Sequence, residues 1–200
     1  MLTGLLAVAI AYLLGGIPFG YLLVRFTTGK DVRAEGSGNI GATNVLRTTG
    51  RGAGVATLIL DIAKGLLAVW LADKLTDGSD FWMSAAALAV MAGHAFPVFL
   101  KFQGGKAVAS FVGAFLYLTP LPLAAVAVVF VLTVWLTRYI SAGSILAAGA
   151  FPFGVWIILH PSVPVLLASF VAGGFIVYRH KPNMERLKEG KENAFRWQRS

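Results

Sequence analysis

LPLAAVAVVFVLTVWLTRYISAGSILAAGAFPFGVWIIL, residues 121–159, carries one formal charge, Arg138, between two apolar runs. Each run approaches the roughly 20 residues that a helix needs to cross an approximately 30 Å hydrocarbon slab. In hydrocarbon every backbone amide must be paired within its own segment, so each run has to be helical. Working outward from Leu121–Thr137 and Ile140–Leu159, the pattern recurs at Thr3–Val24, Ala53–Ala72, Phe81–Leu100, Ala107–Leu118 and Ser162–Tyr178. Thr3–Val24 has no basic residue ahead of it and no small-residue cleavage pattern, so it reads as a span and not as a signal peptide. The composition agrees: of 200 residues 57% are hydrophobic and 13% charged, against roughly 25% charged in soluble domains. Mean hydropathy is +0.74. An ordinary soluble fold is excluded, and the expectation is an all-α polytopic membrane bundle of about seven transmembrane helices, a single domain over residues 1–200. Ala107–Thr137, with Pro120 and Pro122 inside it, is too long for one span and short for two. It reads as two short helices or a re-entrant hairpin, which leaves five or seven full spans.

The charge of +8 invites a nucleic-acid reading, but its distribution decides otherwise. Fifteen of the 17 basic residues fall in connections on one side: Arg25 to Arg51, Lys101 and Lys106, Arg138, and Arg179 to Arg199. The opposite connections hold Lys74 among three Asp, or no Lys or Arg at all. The positive-inside rule then places the N-terminus outside and the C-terminus in the cytoplasm. No nucleic-acid partner is expected. The absence of cysteine excludes disulfides and thiolate chemistry. Asp61 and Lys64, three apart within a span, read as a structural ion pair.

Three polar clusters lie on the basic side. EGSGNIGATNVLR, residues 35–47, has three Gly in six positions beside hydroxyls, amides and Arg47. Gly36, Gly38 and Gly41 satisfy G-x-G-x-x-G, but a membrane helix precedes them where the dinucleotide fingerprint needs a strand. HAFPVFLKFQGGK, residues 94–106, ends in two Gly and Lys106 ahead of a helix, like half of a phosphate loop. It is not a Walker A motif, because Leu100 and Ala107 occupy two of its required positions. YRHKPNMERLKEGKE, residues 178–192, puts His180, Asn183 and Arg186 at helical spacing. The basic residues Lys188, Lys191, Arg196 and Arg199 read as a solvated tail attracted to anionic lipid. A fainter cluster is Ser141 and Ser144, whose ordinary role is helix packing. No metal-ligand cluster, carboxylate pair or Ser-His-Asp set is visible, so no metal and no cofactor is expected. Cations and backbone donors on one face of a bundle suit phosphate groups with an apolar tail between helices.

These motifs, in order and correctly spaced, resemble the PlsY family of bacterial glycerol-3-phosphate acyltransferases, integral membrane enzymes. They are Gly36 to Asn44 through Arg47; Gly93-His94 with Phe96 to Phe99 and Gly104-Gly105-Lys106; and Arg179-His180 with Asn183, Arg186, Gly190 and Glu192. The chain departs from the family pattern at Ala107, where a third Gly is usual, and at Ala194, where a basic residue is common. The resemblance implies transfer of an acyl group from acyl phosphate to the 1-hydroxyl of sn-glycerol 3-phosphate, giving lysophosphatidic acid and phosphate, the first acylation of phospholipid biosynthesis. It also implies a bacterial inner membrane with the site facing the cytoplasm, and it admits as a partner the soluble enzyme that makes acyl phosphate.

On this reading Arg47 and Lys106 clamp phosphate, while Ser37, His180 and Asn183 complete the catalytic set. Gly36, Gly38, Asn39, Gly41, Thr43, Asn44, His94, Gly104, Gly105, Ser141, Ser144 and Arg186 are expected to bind substrate, with the Gly36–Gly41 and Gly104–Gly105 backbones supplying amides. His180, His94 and a substrate phosphate oxygen are each candidates for the general base. The alternatives are a transporter of a phosphate-bearing solute, or an acyltransferase with another acyl donor. Convergence of the polar clusters on one face favours the enzyme.

Overall fold

A computed structural model describes residues 1–195 of the chain. The described residues are helical and contain no strand, and they form two compact units, Met1–Leu118 and Thr119 onward.

In the first unit the helices are α1 (Leu2–Gly16), α2 (Phe19–Thr28), α3 (Ala42–Thr48), α4 (Arg51–Leu75), α5 (Asp80–Ala95) and α6 (Val108–Leu118), with 3₁₀ turns at Val32–Ala34 and Val98–Leu100. The expected span Thr3–Val24 is thus two helices. Pro18 has no N–H and drives Ile17 out of the helical region, to φ −66 and ψ 113. Pro97 acts likewise on Phe81–Leu100, whose α-helix stops at Ala95 and finishes as a 3₁₀ turn. The second unit holds α7 (Pro120–Thr137), α8 (Ile140–Leu159), α9 (Val163–Arg179) and α10 (Lys181–Lys188).

Five helical stretches are long and apolar enough to cross a membrane: Leu2–Thr28, α4, Asp80–Leu100, α7 and α8. The pair α9 and α10, bent by 51°, makes a sixth if it is one broken span, whereas α6 is a shorter apolar helix. Leu5, Ile59, Trp135, Leu136 and Ile157 are all more than half exposed. Water does not tolerate such a surface, and lipid does.

Between lipid-bathed helices there is no hydrophobic drive to associate, so close backbone approach and dispersion hold the units together. In the first unit α1 packs on α5 and α4 on α6. A Cβ on Gly15 would strike the Val90 carbonyl, and one on Gly93 the Tyr12 carbonyl. Gly65 meets the Ser110 carbonyl and Gly113 the Ile62 carbonyl in the same way. In the second unit Gly173 abuts the Ala148 carbonyl, whereas Gly174 has nothing within 4 Å.

Gly113→Ala should therefore cost about 1–3 kcal/mol of overpacking and lower the melting temperature in detergent. Gly174→Ala should leave it unchanged; equal melting temperatures for the two variants would contradict this account of helix packing.

Candidate active site

The first motif is a loop built around one buried amide. Asn44, 2% exposed, accepts the Ser37 N–H at 2.8 Å through Oδ1 and donates through Nδ2 to the carbonyls of Val32, Glu35 and Asn39 at 3.3, 3.1 and 2.9 Å. Gly36 and Gly38 have φ of +61 and +68, which an L side chain adopts at a cost of about 1–2 kcal/mol. A Cβ on Gly36 would also run into Asn44 Oδ1. The loop begins at Asp31, which caps the first 3₁₀ turn and pairs with Arg33 at 2.6 Å. That guanidinium holds the Asp31 carboxyl below its ordinary range despite the opposing effect of partial burial.

Outside this frame stand the groups that face solvent. Arg47, in the last turn of α3, and Thr43 are exposed. Arg47 makes no ion pair among the described residues, and the Ser37 hydroxyl is exposed on the loop. The second motif joins the first through a shared apolar cluster: Val24, Val32, Ile40 and Val45 pack with Leu100 of the second 3₁₀ turn.

The amides assigned to an anion are largely engaged within the loops. Gly38 N–H donates to the Glu35 carbonyl, Gly41 N–H to Asn39 Oδ1, Gly104 N–H to the Ala95 carbonyl and Gly105 N–H to the His94 carbonyl. With the Ser37 amide on Asn44, these donors shape the loops and do not form the expected amide cradle. Gly104 and Gly105 serve close approach, since a Cβ on either would collide with His94. Lys106, partly buried, follows directly, and Ala107 then takes φ +62 while fully buried. A left-handed Ala explains in physical terms why Gly is usual there.

In the second unit the polar side chains gather on Glu192. Its side chain is 7% exposed; Oε1 accepts from Ser141 Oγ at 2.9 Å and Asn183 Nδ2 at 2.8 Å, and Oε2 from Arg186 Nε at 2.7 Å. Burial disfavours this carboxylate, but the donors from Asn183, Arg186 and Ser141 outweigh it and hold the carboxyl below its ordinary value. Ser144 instead bonds back to the Ile140 carbonyl at 2.9 Å. His180, 3% exposed, has Nδ1 2.8 Å from the Ile176 carbonyl. A carbonyl only accepts, so the proton of the neutral ring sits on Nδ1, and Nε2 is its acceptor nitrogen. Glu192 is the residue that the sequence reading left out of the site. Its signal was weak because its six-residue separation from Arg186 is not a helical spacing; the turn at Gly190, φ +67, brings the two together. Arg196 and Arg199 lie outside the described residues.

Two outcomes follow for these clusters. Because the Glu192 pKa is lowered in the folded protein, its stabilisation is present above the unfolded value of about 4.3 and is lost as pH falls through the folded value. Glu192→Gln should cost about 2 kcal/mol at pH 7 and flatten the acid limb of the melting temperature against pH; an unaltered acid limb would contradict this. Ala107→Gly should gain up to about 1 kcal/mol, the left-handed penalty less the entropy of Gly, read as a raised melting temperature.

Comparison with known proteins gives the family. The family model described as glycerol-3-phosphate acyltransferase matches residues 5–190. A glycerol-3-phosphate acyltransferase of Geobacter sulfurreducens is 46% identical over 98% of this chain and 100% of its own length. One from Syntrophotalea carbinolica is 48% identical over 93% and 94%. A crystal structure of PlsY (YgiH), an integral membrane glycerol 3-phosphate acyltransferase in its glycerol 3-phosphate form, superposes with a TM-score of 0.91 at 36% identity, over 96% of both chains. Its lysophosphatidic acid form gives 0.87 at 35%, over 96% and 95%. With the three motif regions, the helical spans and this similarity along nearly its whole length, the chain belongs to the PlsY family of glycerol-3-phosphate acyltransferases.

Proposed function

We propose that the protein acts as one acyltransferase domain that moves an acyl group from acyl phosphate to the 1-hydroxyl of sn-glycerol 3-phosphate. The products are 1-acyl-sn-glycerol 3-phosphate and inorganic phosphate, and the setting is the cytoplasmic face of a bacterial inner membrane. The observation that carries this reading is the pair of solved relatives in glycerol 3-phosphate and lysophosphatidic acid forms. The two molecules differ by one acyl group, so they are acceptor and product of a single acylation.

Acyl phosphate suits the rest of the chemistry. It is a mixed anhydride, already activated, with a fatty chain that stays in the bilayer while its head reaches water. The acceptor oxygen bonds to the carbonyl carbon, the bond from that carbon to the phosphate oxygen breaks, and phosphate leaves with the electron pair. The enzyme has mainly to hold two mutually repelling anions within reach and to stabilise charge on the carbonyl oxygen. Arg47 and Lys106 take the phosphates, supported by the exposure of Arg47 and its lack of a carboxylate partner. Ser37, with Thr43 and Asn39, supplies polar contacts from the first unit, and His180 and Asn183 supply them from the second. The acceptor proton passes to His180 Nε2 or to a substrate phosphate oxygen. A cytoplasmic site, next to a soluble enzyme that makes acyl phosphate, is supported by the fifteen basic residues on one side of the spans.

Purified protein in nanodiscs, given labelled glycerol 3-phosphate with acyl phosphate, acyl-CoA or acyl carrier protein, tests the donor. Lysophosphatidic acid should form with acyl phosphate, with one phosphate released per product. Arg47→Ala and Lys106→Ala should each lower turnover on the order of 10²-fold. An equal rate with acyl-CoA would remove the donor assignment, and either wild-type turnover or a wild-type KM for both substrates in Lys106→Ala would remove the clamp.

A further inference from the structure

Asp61 and Lys64 are charges at membrane depth that the proposed chemistry does not use. Their side chains are 2% and 3% exposed and lie 2.8 Å apart. Ionisable groups in such a place are costly even when paired, and their retention points to a role beyond mutual neutralisation. Lys64 Nζ also donates to the Ile17 carbonyl at 2.9 Å, at the break between α1 and α2, and lies 5.6 Å over the Phe19 ring. Asp61 has a second neighbour: His94 Nδ1, 4% exposed, is 3.6 Å from the same Oδ1.

His94 stands in the last turn of α5, and its other edge meets the second motif. Its carbonyl accepts the Gly105 N–H at 3.0 Å, the Ala95 carbonyl accepts the Gly104 N–H at 3.2 Å, and a Cβ on Gly105 would run into His94 Nε2. The ring is therefore wedged between a buried carboxylate and the backbone that ends in Lys106.

We infer that Asp61 is a positioning residue for Lys106: it fixes the His94 ring, the ring fixes the Gly104–Gly105 backbone, and that backbone aims the ammonium, with Lys64 as the counter-charge of Asp61. This rests on the reading of Lys106 as a phosphate clamp. A purely structural ion pair would serve equally well as two apolar side chains, whereas a positioning pair leaves a specific defect when replaced.

The test measures kcat and KM for both substrates in nanodiscs for Asp61→Leu/Lys64→Met, for His94→Phe and for Lys106→Ala, alone and combined. His94→Phe keeps a ring against Gly105 but has no nitrogen for Asp61, and it covers the case in which the double variant does not fold. His94→Phe should melt within a few degrees of wild type, and the double variant lower because it also removes the Lys64 donor from the Ile17 carbonyl; both should raise, about tenfold, the KM that Lys106→Ala raises, and neither should raise it further in the Lys106→Ala background. Wild-type KM in these variants would overturn the inference, as would a full further loss in the Lys106→Ala background, which marks a general structural defect. If Lys106→Ala itself keeps wild-type KM for both substrates, the clamp has failed and the inference falls with it, an outcome recognisable from that single variant.

Discussion

Every polar backbone group freed inside hydrocarbon must find a partner in the protein, and each departure from regular helix in this chain shows how that demand is met. At the Pro18 break the carbonyl of Ile17 loses its helical partner; it accepts the Phe19 N–H in a tight turn at 3.1 Å, and Lys64 reaches it from α4. A lysine there must bring its own counter-charge, and Asp61 provides it one turn earlier. The break at Pro18 thus gives Lys64 its backbone partner, while Asp61 also faces His94. At the end of α5, Pro97 interrupts the second helix, and the carbonyls of His94 and Ala95 are taken by the amides of Gly105 and Gly104. Neither break ends its span, since Leu2–Thr28 and Asp80–Leu100 each remain one stretch.

The loops of the first unit are built from within, by the Asn44 amide and the Val24, Val32, Ile40, Val45 and Leu100 cluster. A loop that spends its own amides on its shape is rigid, and its exposed side chains inherit that rigidity. On the proposed function, anion recognition then falls to Arg47, Lys106 and hydroxyls held on that frame. Such a frame suits two substrates of like charge, because pre-set cations cost little reorganisation when the phosphates arrive.

The class of the protein was plain in the sequence, since apolar runs and one-sided cations follow from single-residue chemistry. So was the Asp61–Lys64 pair, because a three-residue spacing in a helix needs no tertiary information. The break at Pro18 was also written there, but the run Thr3–Val24 was read through it, since a long apolar run outweighs one proline when only span length is considered. What stayed hidden was which partner each donor chooses. Gly-rich composition indicates amides able to reach an anion, yet whether they reach inward or outward depends on loop dihedrals such as those of Gly36 and Gly38. His94 beside Asp61 and Glu192 among Ser141, Asn183 and Arg186 join residues far apart in sequence or across a turn, where no periodicity points.

The excess of positive charge is best understood by where the acids go. Asp31, Glu35, Asp61, Asp73, Glu189 and Glu192 each have a Lys or Arg within ion-pair distance. Carboxylates are thus spent on loop starts, a membrane-depth pair and the tail, and the +8 remains on cations such as Arg47 that they do not neutralise. Unneutralised cations repel one another and weaken a compact state. Anionic headgroups at a membrane surface relieve such repulsion around basic segments, and on the proposed function a substrate phosphate relieves it at Arg47. On the proposed function, the charge that the positive-inside rule reads as a topology signal therefore also favours binding an anion over leaving the loops empty.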